Sequence, residues 1–268
     1  MSESSLANLI TYNPATIGAN DLLSDALGRF EAEHLQFLPV IEGQNLANGQ
    51  RHVVGMLSLA ATRRELLKGD KRYVRDAIEA DADSGSRTRG INGQAGVAEP
   101  LRVMRTTGSR SLPVVENNKL LGVISIADYL QEFAYGNDAS LSDLVGEHML
   151  KPAPQVDADD PPQDVLEFLL RDDLAAAAVT AGDCPLGIIS RLELGNEPDI
   201  AGTLGQLLTP DVTTIGKAES IGDVIWHFIE FQVPALPVVD HGNRLIGLLP
   251  EDAMLDMIAV QLSEDAHV

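Results

Sequence analysis

The chain has 268 residues, room for about two domains, and 44% of them are hydrophobic, an ordinary share for a globular chain, so wholesale disorder is excluded. Nineteen basic against 40 acidic residues give a formal net charge of −21, which repels phosphate backbones and anionic lipid and sets nucleic acid and membrane surfaces aside as partners. No apolar run approaches a membrane span, Met1-Ser-Glu-Ser-Ser carries no secretory pattern, and a single cysteine, Cys184, permits no internal disulfide, so a cytoplasmic location is expected.

A short strand is expected at Thr16-Ile17. A helix follows, with Leu23, Ala26, Leu27 and Phe30 at helical spacing. The apolar runs Phe37-Leu-Pro-Val-Ile-Glu and Val53-Val-Gly-Met-Leu-Ser-Leu-Ala-Ala then read as a hairpin of buried strands. Residues 42–52 lengthen its turn, either as a tolerated insertion or as a contact for a partner. The same pair of runs recurs as Ser111-Leu-Pro-Val-Val-Glu with Leu120-Leu-Gly-Val-Ile-Ser-Ile-Ala-Asp. It recurs again as Ala175-Ala-Ala-Ala-Val-Thr with Pro185-Leu-Gly-Ile-Ile-Ser-Arg-Leu-Glu. The fourth occurrence is Ala235-Leu-Pro-Val-Val-Asp with Leu245-Ile-Gly-Leu-Leu-Pro-Glu-Asp-Ala. The shared glycines are Gly55, Gly122, Gly187 and Gly247, at steps of 67, 65 and 60 residues.

A helix is expected after each second strand, as at Ala127-Asp-Tyr-Leu-Gln-Glu-Phe. The fourth unit opens with a short strand at Thr214-Ile215 and a helix whose Ser220 and Asp223 form a capping box. In the second unit, residues 82–94 form a longer Gly/Ser-rich stretch carrying Arg87 and Arg89, read either as mobile surface or as a lid over a phosphate. Gln94-Ala95 stands there in place of the Thr-Ile pairs.

Each unit of about 60 residues is small for independent stability and should bury its sheet against a neighbour. The expected architecture is α/β with two pairs. The first covers residues 8–135, with repeats at 8–68 and 73–135; the second covers 141–262, with repeats at 141–197 and 203–262. Residues 135–140 join them.

The Leu-Pro-Val-Val strand, the hairpin and Gly122-Val-Ile-Ser-Ile-Ala-Asp resemble the CBS-domain family, and their fourfold recurrence resembles two tandem CBS pairs, or Bateman modules. The resemblance implies an α/β fold of four CBS repeats in two pseudo-twofold pairs, and leaves no catalytic domain over. It also implies a role. Pairs of this family commonly bind AMP, ADP, ATP, S-adenosylmethionine or NAD, without a covalent bond, between the two repeats. The shape change is then read by another protein. An unidentified regulated protein and a homodimer of the chain are the protein partners that go with such a role.

In ligand-binding members the second strand is followed by Gly-h-h-Ser/Thr-x-x-Asp, h being apolar. The hydroxyl sits at a helix start, where free N–H groups attract phosphate, and the carboxylate can accept both ribose hydroxyls. The second repeat matches in full with Ser125 and Asp128, and Ile126 lies between them. Arg110, just before the Leu112-Pro113 strand, supplies positive charge; the counterparts read from the sequence are Gln36, Leu174 and Pro234. The third repeat offers Ser190 and Glu193, one methylene longer. The first has Ser58 but Ala61, and the fourth has Pro250 and Ala253, so both are expected vacant.

Enzymatic motifs are missing. The six histidines show no HExxH spacing, and G-x-S-x-G, P-loop and dinucleotide fingerprints are absent. Asp183 beside Cys184 disfavours a reactive thiolate. The expectation is a non-catalytic sensor of an adenosyl ligand; the alternative is an interaction scaffold whose clefts no longer bind.

Overall fold

The computed structural model describes residues 6–42, 52–69, 72–80, 90–117, 119–136, 138–195, 203–210 and 213–265. The lengthened turn at 43–51 and most of the 82–94 stretch lie outside the described residues. The chain forms two compact units, one running to Asp128 and taking in Gly195, the other containing Tyr129–Leu194 and the chain from Thr203 onward.

The first repeat comprises α1 (Leu6–Leu9), β1 (Thr11–Tyr12), β2 (Ile17–Gly18), α2 (Leu23–Glu33), β3 (Phe37–Glu42), β4 (His52–Ser58) and α3 (Leu59–Leu66). The second has α4 (Val74–Ala80), β5 (Ile91–Asn92), α5 (Ala98–Thr107), β6 (Ser111–Glu116), β7 (Lys119–Ser125) and α6 (Ile126–Tyr135). The third has α7 (Val145–His148), β8 (Gln155–Asp157), α8 (Pro162–Arg171), β9 (Ala176–Ala181), β10 (Cys184–Ser190) and α9 (Arg191–Leu194). The fourth has α10 (Leu204–Leu207), β11 (Thr209–Pro210), β12 (Ile215–Gly216), α11 (Ile221–Phe231), β13 (Ala235–Val239), β14 (Leu245–Pro250) and α12 (Asp252–Asp265).

A parallel strand pair needs a crossover, and a helix supplies it in every repeat. The short strand places one apolar residue beside the valine of the next strand: Ile17 beside Val40, Ile91 beside Val114, Val156 beside Val179 and Ile215 beside Val238. The second repeat's short strand is therefore Ile91–Asn92, and not the Gln94-Ala95 pair expected from the sequence. Seventeen positions separate Val74 from Ile91, against eleven from Leu6 to Ile17, Val145 to Val156 and Leu204 to Ile215, so the extra length lies upstream of the strand.

The hairpins share one irregularity. Each register slips by one residue immediately before the repeat glycine, at Val54, Leu121, Leu186 and Ile246. Over the glycine passes a segment from the start of the partner repeat. Tyr12 pairs with Gly122, Pro210 pairs with Gly187, and Leu150 bridges Leu248 next to Gly247. A strand from the start of the first repeat thus extends the second repeat's sheet, giving the order β1-β7-β6-β5, and β11 likewise extends the third repeat's sheet.

Side chains alternate across these strands with period two. In β9, Ala177 and Val179 face the core formed with Val165, Leu166 and Leu169 of α8. Ala176 and Ala178 face the other way and pack with Ala235 and Leu248 of the fourth repeat. The alanine run is thus a small-residue face against the neighbouring sheet.

A Cβ at residue 122 would lie 2.4 Å from Ile10 Cγ2 and 2.5 Å from the Thr11 carbonyl oxygen, whereas one at Gly28, exposed in the middle of α2, meets nothing within 4 Å. Gly122→Ala is expected to destabilise the protein by about 1–3 kcal/mol through overpacking. Gly28→Ala should stabilise it by about 0.5–1 kcal/mol through helix propensity. Urea denaturation of the two variants checks both signs.

Candidate functional site

The β6–β7 hairpin sets Ser111 opposite Ser125, so residues distant in sequence meet at the start of α6. The Ile126 N–H donates to the Arg110 carbonyl at 3.0 Å. Arg110, Ser125, Ile126 and Asp128 therefore sit together at the end of the hairpin. The Ile126 side chain is buried, so it anchors the helix start in the core.

Asp128 turns back onto Ser125. The Ser125 backbone N–H and its hydroxyl both donate to Asp128 Oδ2, each at 2.7 Å. This satisfies one carboxylate oxygen and holds the side chain against the turn that opens α6. Burial raises the Asp128 pKa from its ordinary value, and the two Ser125 hydrogen bonds only partly oppose it.

The third repeat builds the same turn with a longer acid. The Ser190 N–H donates to Glu193 Oε2 at 2.9 Å, the Ser190 hydroxyl donates to the same oxygen, and the Leu192 N–H donates to Ser190 Oγ at 3.2 Å. The first repeat differs as its sequence requires. With Ala61 in place of the acid, Ser58 Oγ accepts the Ala61 N–H at 3.0 Å, an ordinary helix cap. In the fourth repeat Pro250 has no N–H to give, and Glu251 follows as a buried residue.

The backbone bond that ties Ile126 to Arg110 defines the true counterparts. Leu59 N–H donates to the Gln36 carbonyl, Arg191 N–H to Ala175, and Glu251 N–H to Pro234. In the third repeat, Ala175 and not Leu174 takes the place of Arg110. Sequence reasoning missed Arg191, which occupies the place of Ile126 and brings a guanidinium to the start of α9, 3.7 Å from Asp173. Its signal was present in Gly187-Ile-Ile-Ser-Arg. Reasoning from the sequence also missed Gly90, at φ +88°, where a Cβ would meet the Pro113 carbonyl oxygen at 2.9 Å. Thr16, Gln155 and Thr214 stand at that place in the other repeats, so the second repeat alone has a bare backbone there.

Residues 91–135 and 204–260 match the family described as CBS domain. The CBS-domain match thus falls on the second and fourth repeats, and the first and third repeats are built from the same order of elements. Its fold is similar to that of a Methanocaldococcus jannaschii protein described as a proposed archaeal homologue of γ-AMPK, at 17% identity and TM-score 0.64, over 95% of this chain and 99% of that one. An uncharacterised conserved protein of Pyrococcus horikoshii is similar at 17% identity and TM-score 0.50, over 94% of this chain and 98% of that one. No curated protein matches the sequence.

A carboxyl group whose pKa is raised on folding favours the protonated native state. Its contribution to stability is present below the ordinary carboxylate pKa of about 4 and is lost as pH rises through the raised value. Asn can accept the same Ser125 bonds without the charge. Asp128→Asn is therefore expected to be more stable than the parent at pH 7, with the difference closing as pH falls through the carboxylate range. Denaturation midpoints measured across pH report it.

Proposed function

We propose that this protein is a non-catalytic regulatory receptor for an adenine nucleotide or another adenosyl ligand, bound at the second repeat. The observation that carries the reading is Asp128: a carboxylate made costly by burial, with one oxygen held by Ser125 and the other committed to no partner among the described residues. A carboxylate in that setting suits the paired hydroxyls of a ribose, which would supply the donors that solvent no longer does. Ser125 and the opening N–H groups of α6 would take phosphate, with Arg110 adding charge. Ile126 fixes the turn from which they act.

The pairs would be residues 8–135 and 141–262, with ligand binding in the first shifting the population of its conformations. Ser190, Glu193 and Arg191 would form a second, altered site. The description of the Methanocaldococcus jannaschii protein as a proposed γ-AMPK homologue supports a regulatory role. Among the described residues no helix is long and apolar enough to cross a membrane, and we place the protein in the cytoplasm with an unidentified regulated partner.

Thermal shift across AMP, ADP, ATP, S-adenosylmethionine and NAD tests the proposal. A ligand at 100 times its Kd should stabilise the native state by about 2.7 kcal/mol. The shift should be lost in Asp128→Asn and retained in Ala61→Ser, which alters the first repeat's turn. If none of the five ligands shifts the parent protein, the clefts are vacant and the scaffold reading takes its place.

A further inference from the structure

The turn that opens the third repeat gathers three metal-ligating groups. His148 Nε2 lies 3.0 Å from Asp143 Oδ2, and one ligand atom from each of Asp143, Glu147 and His148 lies within 4.8 Å of the others. Two carboxylates and an imidazole converge, although D-x-x-x-E-H is no familiar ligand spacing, because α7 is a single turn that brings its two ends together.

The backbone of this turn is held from the other side. The Asp143 carbonyl accepts the Ile221 N–H, the Val145 N–H donates to the Glu219 carbonyl, and the Gly146 N–H donates to the Lys217 carbonyl, each at 2.9 Å. The ligand-bearing residues are thus positioned before any ion arrives. Glu147 Oε2 accepts only a long 3.2 Å bond from the Leu144 N–H. Lys151, the cation bonded to this turn among the described residues, gives its ammonium to the Gly146 carbonyl. The His148 and Asp143 side chains are 28% and 41% exposed, which leaves room for an ion to enter and for water to complete its shell.

The fold does not require these residue types. At the position of His148 the other repeats carry Leu9, Ala77 and Leu207, all buried apolar residues. At the position of Glu147 the fourth repeat carries Gln206, whose Oε1 accepts the Thr203 N–H at 3.0 Å and makes the same cap without charge. The acid at position 147 has a counterpart in Asp76, which caps the Tyr73 N–H at 2.9 Å, so the departure in this turn is the imidazole, set beside two carboxylates where the other repeats carry buried apolar residues.

We propose that Asp143, Glu147 and His148 bind one divalent transition-metal ion of the zinc class, with water as a further ligand. A mixed nitrogen and oxygen set suits zinc, whereas magnesium and calcium take oxygen alone. Zinc–ligand bonds of about 2.0–2.2 Å place tetrahedral neighbours roughly 3.3 Å apart. The Asp143–His148 spacing is already close to that, and a Glu147 carboxylate oxygen lies within 4.8 Å of both ligand atoms. Because the turn is bonded to residues 217–221, the ion consolidates the junction of the third and fourth repeats.

The test is zinc titration of the chelator-stripped full chain against a chromogenic zinc indicator, with melting temperature followed in parallel. One zinc per chain and a raised Tm are expected. His148→Leu and Glu147→Gln install residues that other repeats already carry, so both variants should keep their metal-free Tm while zinc affinity falls at least tenfold and the zinc-dependent rise disappears. The proposal is overturned by no zinc uptake in the parent, by undiminished uptake in both variants, or by a preference for magnesium or calcium over zinc.

Discussion

The passage of a backbone segment over the bare face of a hairpin is the contact on which the rest of this structure depends. At Gly122 the distances leave no room for a methyl group, because Ile10 and Thr11 already occupy that space. The one-residue bulge just before each repeat glycine bends the strand there and raises its twist. In three of the four repeats a described segment then lies across the bend. What it covers is an open sheet edge, which would otherwise present unpaired amides and carbonyls. A repeat of about 60 residues has too little interior to stand alone, and this exchange lets each borrow an edge strand from the segment ahead of its neighbour.

The candidate site follows from the same hairpin. Its far end brings Ser111 level with Ser125 and Arg110 level with Ile126, and the strand stops where α6 begins, so the backbones of the serine, of the acid one turn on and of the arginine are gathered at one end of the hairpin. The four repeats then diverge by single atoms or groups. A methylene separates Glu193 from Asp128, a carboxylate separates Asp128 from Ala61, and the loss of both the N–H and the hydroxyl separates Pro250 from Ser125. The backbone is common to all four, and chemistry is assigned by which side chain closes the first turn of the following helix.

How much of this could be read beforehand depends on signal length. The hairpins were legible because two apolar runs of five or six residues and a glycine recur four times. The turn between Ser125 and Asp128 was legible as a serine followed three residues later by an acid. The second repeat's short strand was misplaced because Ile91 follows a long insertion and lies between Gly90 and Asn92, without the threonine that marks its counterparts. Strands β1 and β11 are two residues each and too short to show any periodicity; their partners are set by tertiary packing alone. Arg191 and His148 were passed over for a different reason. Each looks ordinary in isolation and is noticed only beside its counterparts, Leu59, Ile126 and Glu251 for Arg191 and Leu9, Ala77 and Leu207 for His148.

The exchanged segments also set an order on synthesis. When β1 leaves the ribosome its partner β7 is still more than a hundred residues from being made, whereas β11 emerges after β10 and can pair at once. The first half of the chain must therefore wait with an unmatched strand, and Leu150 likewise waits for Leu248. Contacts of such long sequence separation close slowly, and chains held in that condition are exposed to pairing with the wrong edge. The short length of these segments, two residues in β1 and a single bridge at Leu150, keeps the waiting edge too small to template a foreign strand.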